Sequence, residues 1–119
     1  MSTTPKTIRK KPVQHELKLQ HAIVDYLRYC GIFCWVTYQP LMGRGHFKMY
    51  HGSSRGVADI LGIFNGKPLA IEVKRPGNKP TEVQKEFLQK FEKKGGIAFV
   101  AYSLDEVIGI LALGKGGAE

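Results

Sequence analysis

The sequence predicts one mixed α/β domain whose elements run α-β-β-β-α-β-α, with a mixed sheet flanked by helices. Three observations carry that expectation: a helical apolar stripe between Gln14 and Tyr29, two apolar runs joined by Asn65-Gly66, and a helix, a short apolar run and a helix after Arg75-Pro76-Gly77. At 119 residues with an apolar fraction of 43%, the chain has the size and composition of one domain with one core.

The first dozen residues, MSTTPKTIRKKP, set Lys6, Arg9, Lys10 and Lys11 among polar residues and prolines. Residues 1–12 therefore read as a disordered basic arm, residues 13–114 as the folded domain and the Gly-rich residues 115–119 as a flexible tail. Leu17, Ile23, Val24 and Leu27 recur at helical spacing, and Gly31 stands where that helix should stop. The aromatic and β-branched run at residues 32–39, IFCWVTYQ, suits a strand. Glycines and a proline then mark residues 40–56 as a long loop, a feature that compact domains reserve for function or mobility.

The runs VADILGIF and KPLAIEVKR flank Asn65-Gly66, a signal for a hairpin with a two-residue type I′ turn. With that turn fixed, Phe64 faces Lys67, and counting outward sets Ile60 opposite Ile71 and Asp59 opposite Glu72. Thr81 should cap a helix bearing Val83, Phe87, Leu88 and Phe91, which Gly95-Gly96 ends. IAFVAY has the character of a strand buried mid-sheet. Ser103 and Glu106 form a capping box for a last helix through DEVIGILAL.

Eighteen Lys and Arg against ten Asp and Glu leave a net charge of +8. This balance favours a polyanionic partner, since each phosphate neutralised releases condensed counterions. In the 40–56 loop Arg44, His46, Lys48, His51 and Arg55 alternate with Phe47 and Tyr50, a pattern suited to gripping a phosphate backbone and stacking on bases. Arg75 and Lys79 extend the same basic surface. Cys30 and Cys34 lack a second pair of ligands for a zinc site and read as reduced core thiols, and the four histidines form no ligand pattern. No run approaches a membrane span and no secretory h-region is visible, so a cytoplasmic location is expected.

Two acids inside apolar strands need a reason, because a buried carboxylate costs several kcal/mol unless paired or bound to a cation. The hairpin register brings Asp59 and Glu72 onto one face, with Lys74 two residues beyond Glu72 on that face. Two ionised carboxylates about 5 Å apart repel by about 3 kcal/mol at an effective dielectric near 20, and a divalent cation removes that penalty. An Asp on one strand with Glu-x-Lys on its partner is a metal-dependent phosphodiesterase arrangement. Hard oxygens hold Mg²⁺ or Mn²⁺, the ion polarises the scissile phosphate and acidifies a water, and the ammonium stabilises the charge that develops.

At these residues the chain resembles the PD-(D/E)xK nuclease superfamily, and within it the VRR-NUC family of virus-type replication and repair nucleases. The matching pieces are Glu16 and Gln20 in the first helix, GVAD ending in Asp59, EVK from Glu72 to Lys74, and TEVQKEF with Gln84. The proline of the family's Pro-Asp is Ala58 here. The resemblance implies a restriction-endonuclease-like core, with Asp59 and Glu72 as metal ligands supported by Glu16. It makes Lys74 the water-positioning base or electrostatic stabiliser and Gln84 an active-site polar group. Gln84 also stands three residues after Thr81, where it can simply close a capping box.

The resemblance further implies a Mg²⁺- or Mn²⁺-dependent DNA endonuclease acting on branched intermediates such as four-way junctions. A chain this small would place two sites on a symmetric junction as a homodimer. The competing reading is a non-catalytic nucleic-acid-binding module on a nuclease fold. A sequence-specific restriction enzyme is less favoured, because no element dedicated to base readout is visible.

Overall fold

A computed structural model describes residues 14–37 and 56–114. The basic arm, the tail and the expected contacts Arg44, His46, Lys48, His51 and Arg55 lie outside the described residues.

The elements follow the expected order: α1 (Gln14–Tyr29), β1 (Phe33–Val36), β2 (Ile60–Phe64), β3 (Lys67–Val73), α2 (Glu82–Lys93), β4 (Ile97–Ala101) and α3 (Leu104–Ile110). The described strands form one mixed sheet in the order β1-β2-β3-β4. β1 and β3 both pair antiparallel with β2, whereas β4 runs parallel to β3. That parallel step requires a crossover, which α2 supplies.

The hairpin has the register counted from the sequence, with Ile60 opposite Ile71 and Phe64 opposite Lys67. Asn65 and Gly66 take the positive φ values, 51° and 80°, that a type I′ turn demands. Gly62 meets a different need, close approach: a Cβ there would lie 2.6 Å from the Phe33 carbonyl oxygen on β1.

One face of the sheet packs against α1 and α3. Cys34, Ile60, Leu69, Ile71, Val73 and Ala101 meet Ile23, Val24 and Leu27 of α1, Val107 of α3 and Leu111 just past its end. Burying each large aliphatic side chain contributes about 1.5–3 kcal/mol. Residues of α2 are missing from that cluster, and α2 packs on β4 and β3 from the other side.

Four expectations need correction. Among the described strands IAFVAY lies at the edge of the sheet, not in its middle, and only Ala101 in it is buried. It is apolar throughout because α2 and α3 both pack on it, so each of its faces meets a helix. β1 ends at Val36, earlier than the aromatic run suggested; Thr37 just beyond it still donates its N–H to the Asp59 carbonyl at 2.9 Å and its Oγ1 hydroxyl to the Ala58 carbonyl at 2.8 Å. α3 stops at Ile110, where Ala112 turns to a φ of 57° and the Leu113 N–H folds back to the Ile108 carbonyl at 2.9 Å. Cys34 is a buried thiol as expected, but Cys30, just past the end of α1, is exposed.

Candidate active site

Asp59 immediately precedes β2 and is pinned from both sides. Its main-chain carbonyl accepts the Thr37 N–H at 2.9 Å, and its side-chain Oδ2 accepts the Val73 N–H at 2.8 Å. The carboxylate thus replaces a ladder carbonyl at the end of the hairpin and is held against β3. Ala58, in the position of the family's proline, is completely buried.

Glu72 lies on β3, directly opposite Asp59 by continuation of the register, and is 2% exposed. Its Oε2 is 3.5 Å from the Lys74 ammonium, while its buried Oε1 has no hydrogen-bond partner among the described residues. Lys74 is half-buried, and its N–H is anchored by the Ala101 carbonyl at 3.0 Å. Alternation along β3 therefore puts Glu72 and Lys74 on the same side, as the sequence required.

Glu16 arrives from α1, where it stands in the first turn. Its Oε2 accepts the N–H of Arg75 at 3.2 Å, joining the helix to the end of β3 across 59 residues of sequence. One turn further along α1, Gln20 is 1% exposed with its Oε1 unpartnered among the described residues.

Burial and mutual repulsion raise the affinity of both acids for protons. Desolvation dominates at Asp59 and is offset in part by the Val73 N–H, the Lys74 ammonium and a hydrogen bond with Glu72. At Glu72 desolvation and the Asp59 charge together outweigh Lys74 and push the carboxyl up to about 8. Both shifts favour protonation of the pair over two bare negative charges. Glu16 adds a further repulsion to both.

These features fit a hard divalent cation. Two carboxylates converge, and one buried oxygen has no hydrogen-bond partner among the described residues. Among the described residues, however, no three His, Cys, Asp or Glu side chains come together as an ion-holding group. Glu16, expected to support Asp59 and Glu72, adds its charge to both acids while its Oε2 accepts the Arg75 N–H. The arrangement suits an ion such as Mg²⁺, which is bound by one or two carboxylates and keeps several waters.

Gln84 closes the capping box of α2. Its Oε1 accepts the Thr81 N–H at 2.9 Å, and its own N–H donates to Thr81 Oγ1 at 3.2 Å. Arg75 and Lys79 are exposed, in the segment after β3. Tyr102 ties that segment to β4 by donating its hydroxyl to the Asn78 carbonyl at 3.0 Å. Two anchors escaped sequence reasoning: the Val73 N–H beneath Asp59 and the Arg75 N–H beneath Glu16. A backbone donor leaves no trace in residue identity.

The family model of the VRR-NUC domain matches residues 42–105, more than half of the chain. The chain belongs to the VRR-NUC family. A solved structure described as a "VRR_NUC domain protein" superposes with a TM-score of 0.53 at 24% identity, covering 82% of this chain and 84% of that one. It shows the shared fold. No curated protein sequence matches. VRR-NUC proteins are nucleases, so this chain has a nuclease-type fold and DNA is the substrate class that membership implies. Asp59, Glu72 and Lys74 all fall inside the matched VRR-NUC segment, whereas Glu16 precedes it. Among the described residues no helix is long and apolar enough to cross a membrane.

Proposed function

We propose that the protein is a Mg²⁺- or Mn²⁺-dependent DNA endonuclease, selective for branched DNA such as four-way junctions, acting in replication, recombination or repair inside the cell. The observation that carries this reading is the Asp59–Glu72 pair, with one buried Glu72 oxygen unpartnered among the described residues and the Lys74 ammonium 3.5 Å from the other. Asp59 and Glu72 are the residues that would hold the cation. When bound, it would supply charge to the scissile phosphate and acidify a water.

The chain's own residues do the rest. Lys74 orients the attacking water and stabilises the negative charge that accumulates on the phosphate, from a partly buried position where an ammonium acts more strongly than in water. Glu16 holds the Arg75 backbone and so keeps the end of β3 in place. Arg75 and Lys79, with Arg44, His46, Lys48, His51 and Arg55 of the preceding loop, would bind the backbone of the DNA. Gln84 would reach the site from the first turn of α2 through the amide nitrogen that its capping role leaves available.

The test is cleavage of labelled single-stranded, duplex, flap and four-way-junction DNA in Mg²⁺ and in Mn²⁺, with Glu72→Ala beside the unmutated protein. Metal-dependent cutting, fastest on the junction and lost in the variant, is the expected result. Tight, salt-sensitive binding without cutting of any substrate would instead establish the binding module.

A further inference from the structure

The sheet face that carries the acid pair does not end at the acids. Along β2 the residues sharing the face of Asp59 are Leu61 and Ile63, by alternation. The register sets Trp35 of β1 opposite Leu61 and Phe33 opposite Ile63. Trp35 is therefore diagonal to Asp59, a relation that spans about 7–8 Å and is within reach of an aromatic side chain. Phe33 follows one rung further away. The two rings form a tilted pair with centroids 5.3 Å apart.

This part of the face is uncovered among the described residues. Phe33 is 70% exposed, Ile63 48% and Trp35 39%, although each is a residue that a sheet normally buries. α2 shields β3 and β4 and does not extend over β1 and β2. The open edge of β1 is not what the aromatics serve, because Arg28 already covers it: its guanidinium donates to the Cys34 carbonyl at 3.0 and 3.1 Å.

We infer that Phe33 and Trp35 are a stacking platform for unpaired bases of the DNA strand whose phosphate lies at Asp59 and Glu72. The inference rests on the nuclease reading above and specifies its substrate: DNA in which bases next to the cut are not held in a duplex stack. Three observations select this occupant. The platform is continuous with the acid pair on one sheet face, its exposed member nearest the acids is Trp35, whose ring pairs with Phe33, and the chain carries a net charge of +8 that draws polyanions. Base–aromatic stacking tolerates any sequence, which suits an enzyme that selects by structure.

Trp35 is the sole tryptophan of the chain, so its fluorescence reports on the platform directly. The experiment titrates metal-free protein, in chelator, with short oligothymidylate and with a duplex of equal length. Trp35 emission and the anisotropy of labelled DNA are followed together, and Phe33→Ala is run in parallel. The single strand should quench Trp35 and the duplex should not, and Phe33→Ala should weaken single-strand binding about tenfold while leaving duplex binding within about twofold.

Single-stranded DNA that binds without altering Trp35 emission, or with equal affinity to Phe33→Ala, overturns the platform and leaves the nuclease reading intact. Absence of any DNA binding also overturns it. A Phe33→Ala variant that sediments as a monomer beside a dimeric unmutated protein overturns it too, assigning this face to a second copy of the chain. Quenching by the single strand in a protein that cuts no DNA with any metal supports the platform and defeats the nuclease reading.

Discussion

Glu72 holds its proton to about pH 8 because its carboxyl is buried beside Asp59, whereas the same group in the unfolded chain titrates near 4.5. Between those values the folded protein binds more protons than the unfolded one, so stability is greatest below about pH 4.5 from this group and is lost as pH rises toward 8. Asp59, also raised, acts in the same direction. Metal-free protein should therefore melt at a lower temperature at pH 8 than at pH 5.5, and Glu72→Gln should flatten the difference. A melting temperature that does not change over this range would contradict the assignment. Mg²⁺ should stabilise the protein more at pH 8, where it displaces less proton. Lys74 has a separate role. Its removal in Lys74→Ala should leave melting and metal binding nearly unchanged and lower the single-turnover cleavage rate by about 10²–10³-fold; a variant that cuts at the normal rate would remove Lys74 from the chemistry.

Between elements, the hairpin places the site, and most of it could be read from the sequence. Asn65-Gly66 pins the turn because few other residues accept positive φ at both positions, and strict alternation then carries the register outward to Asp59 and Glu72. Thr81 was equally legible as a cap. Half of the expected Ser103 box forms: Ser103 accepts the Glu106 N–H, but Glu106 reaches past Ser103 to accept the Tyr102 N–H at 2.8 Å. The position of β4 is not legible, because a strand covered by helices on both faces has one apolar pattern whether it is central or at an edge. The contact of Glu16 with Arg75 depends on how α1 crosses the sheet, which no local pattern encodes. The dual position of Gln84 yields a test at this scale. Thr81→Ala and Gln84→Ala should each destabilise α2 by about 1 kcal/mol in denaturant melts. Only Gln84→Ala should also slow cleavage, and equal cleavage by the two variants would confine Gln84 to the cap.

For the whole molecule, family membership supplies the nuclease fold, and the net charge of +8 suits it to a polyanion. A domain this small would meet a symmetric junction as a twofold dimer. Sedimentation with junction DNA should then show two chains per junction, and a single chain at saturation would refute that arrangement. The proposed chemistry depends on Asp59 and Glu72 forming a cation site, to which Glu72 Oε1, without a hydrogen-bond partner among the described residues, would contribute. The most direct measurement is calorimetric titration of Mn²⁺ into DNA-free protein at pH 7, in two buffers of different ionisation enthalpy, with Glu72→Gln alongside. Binding that releases close to one proton and is lost in Glu72→Gln is the predicted result; undiminished binding by that variant, or binding without proton release, would contradict the account.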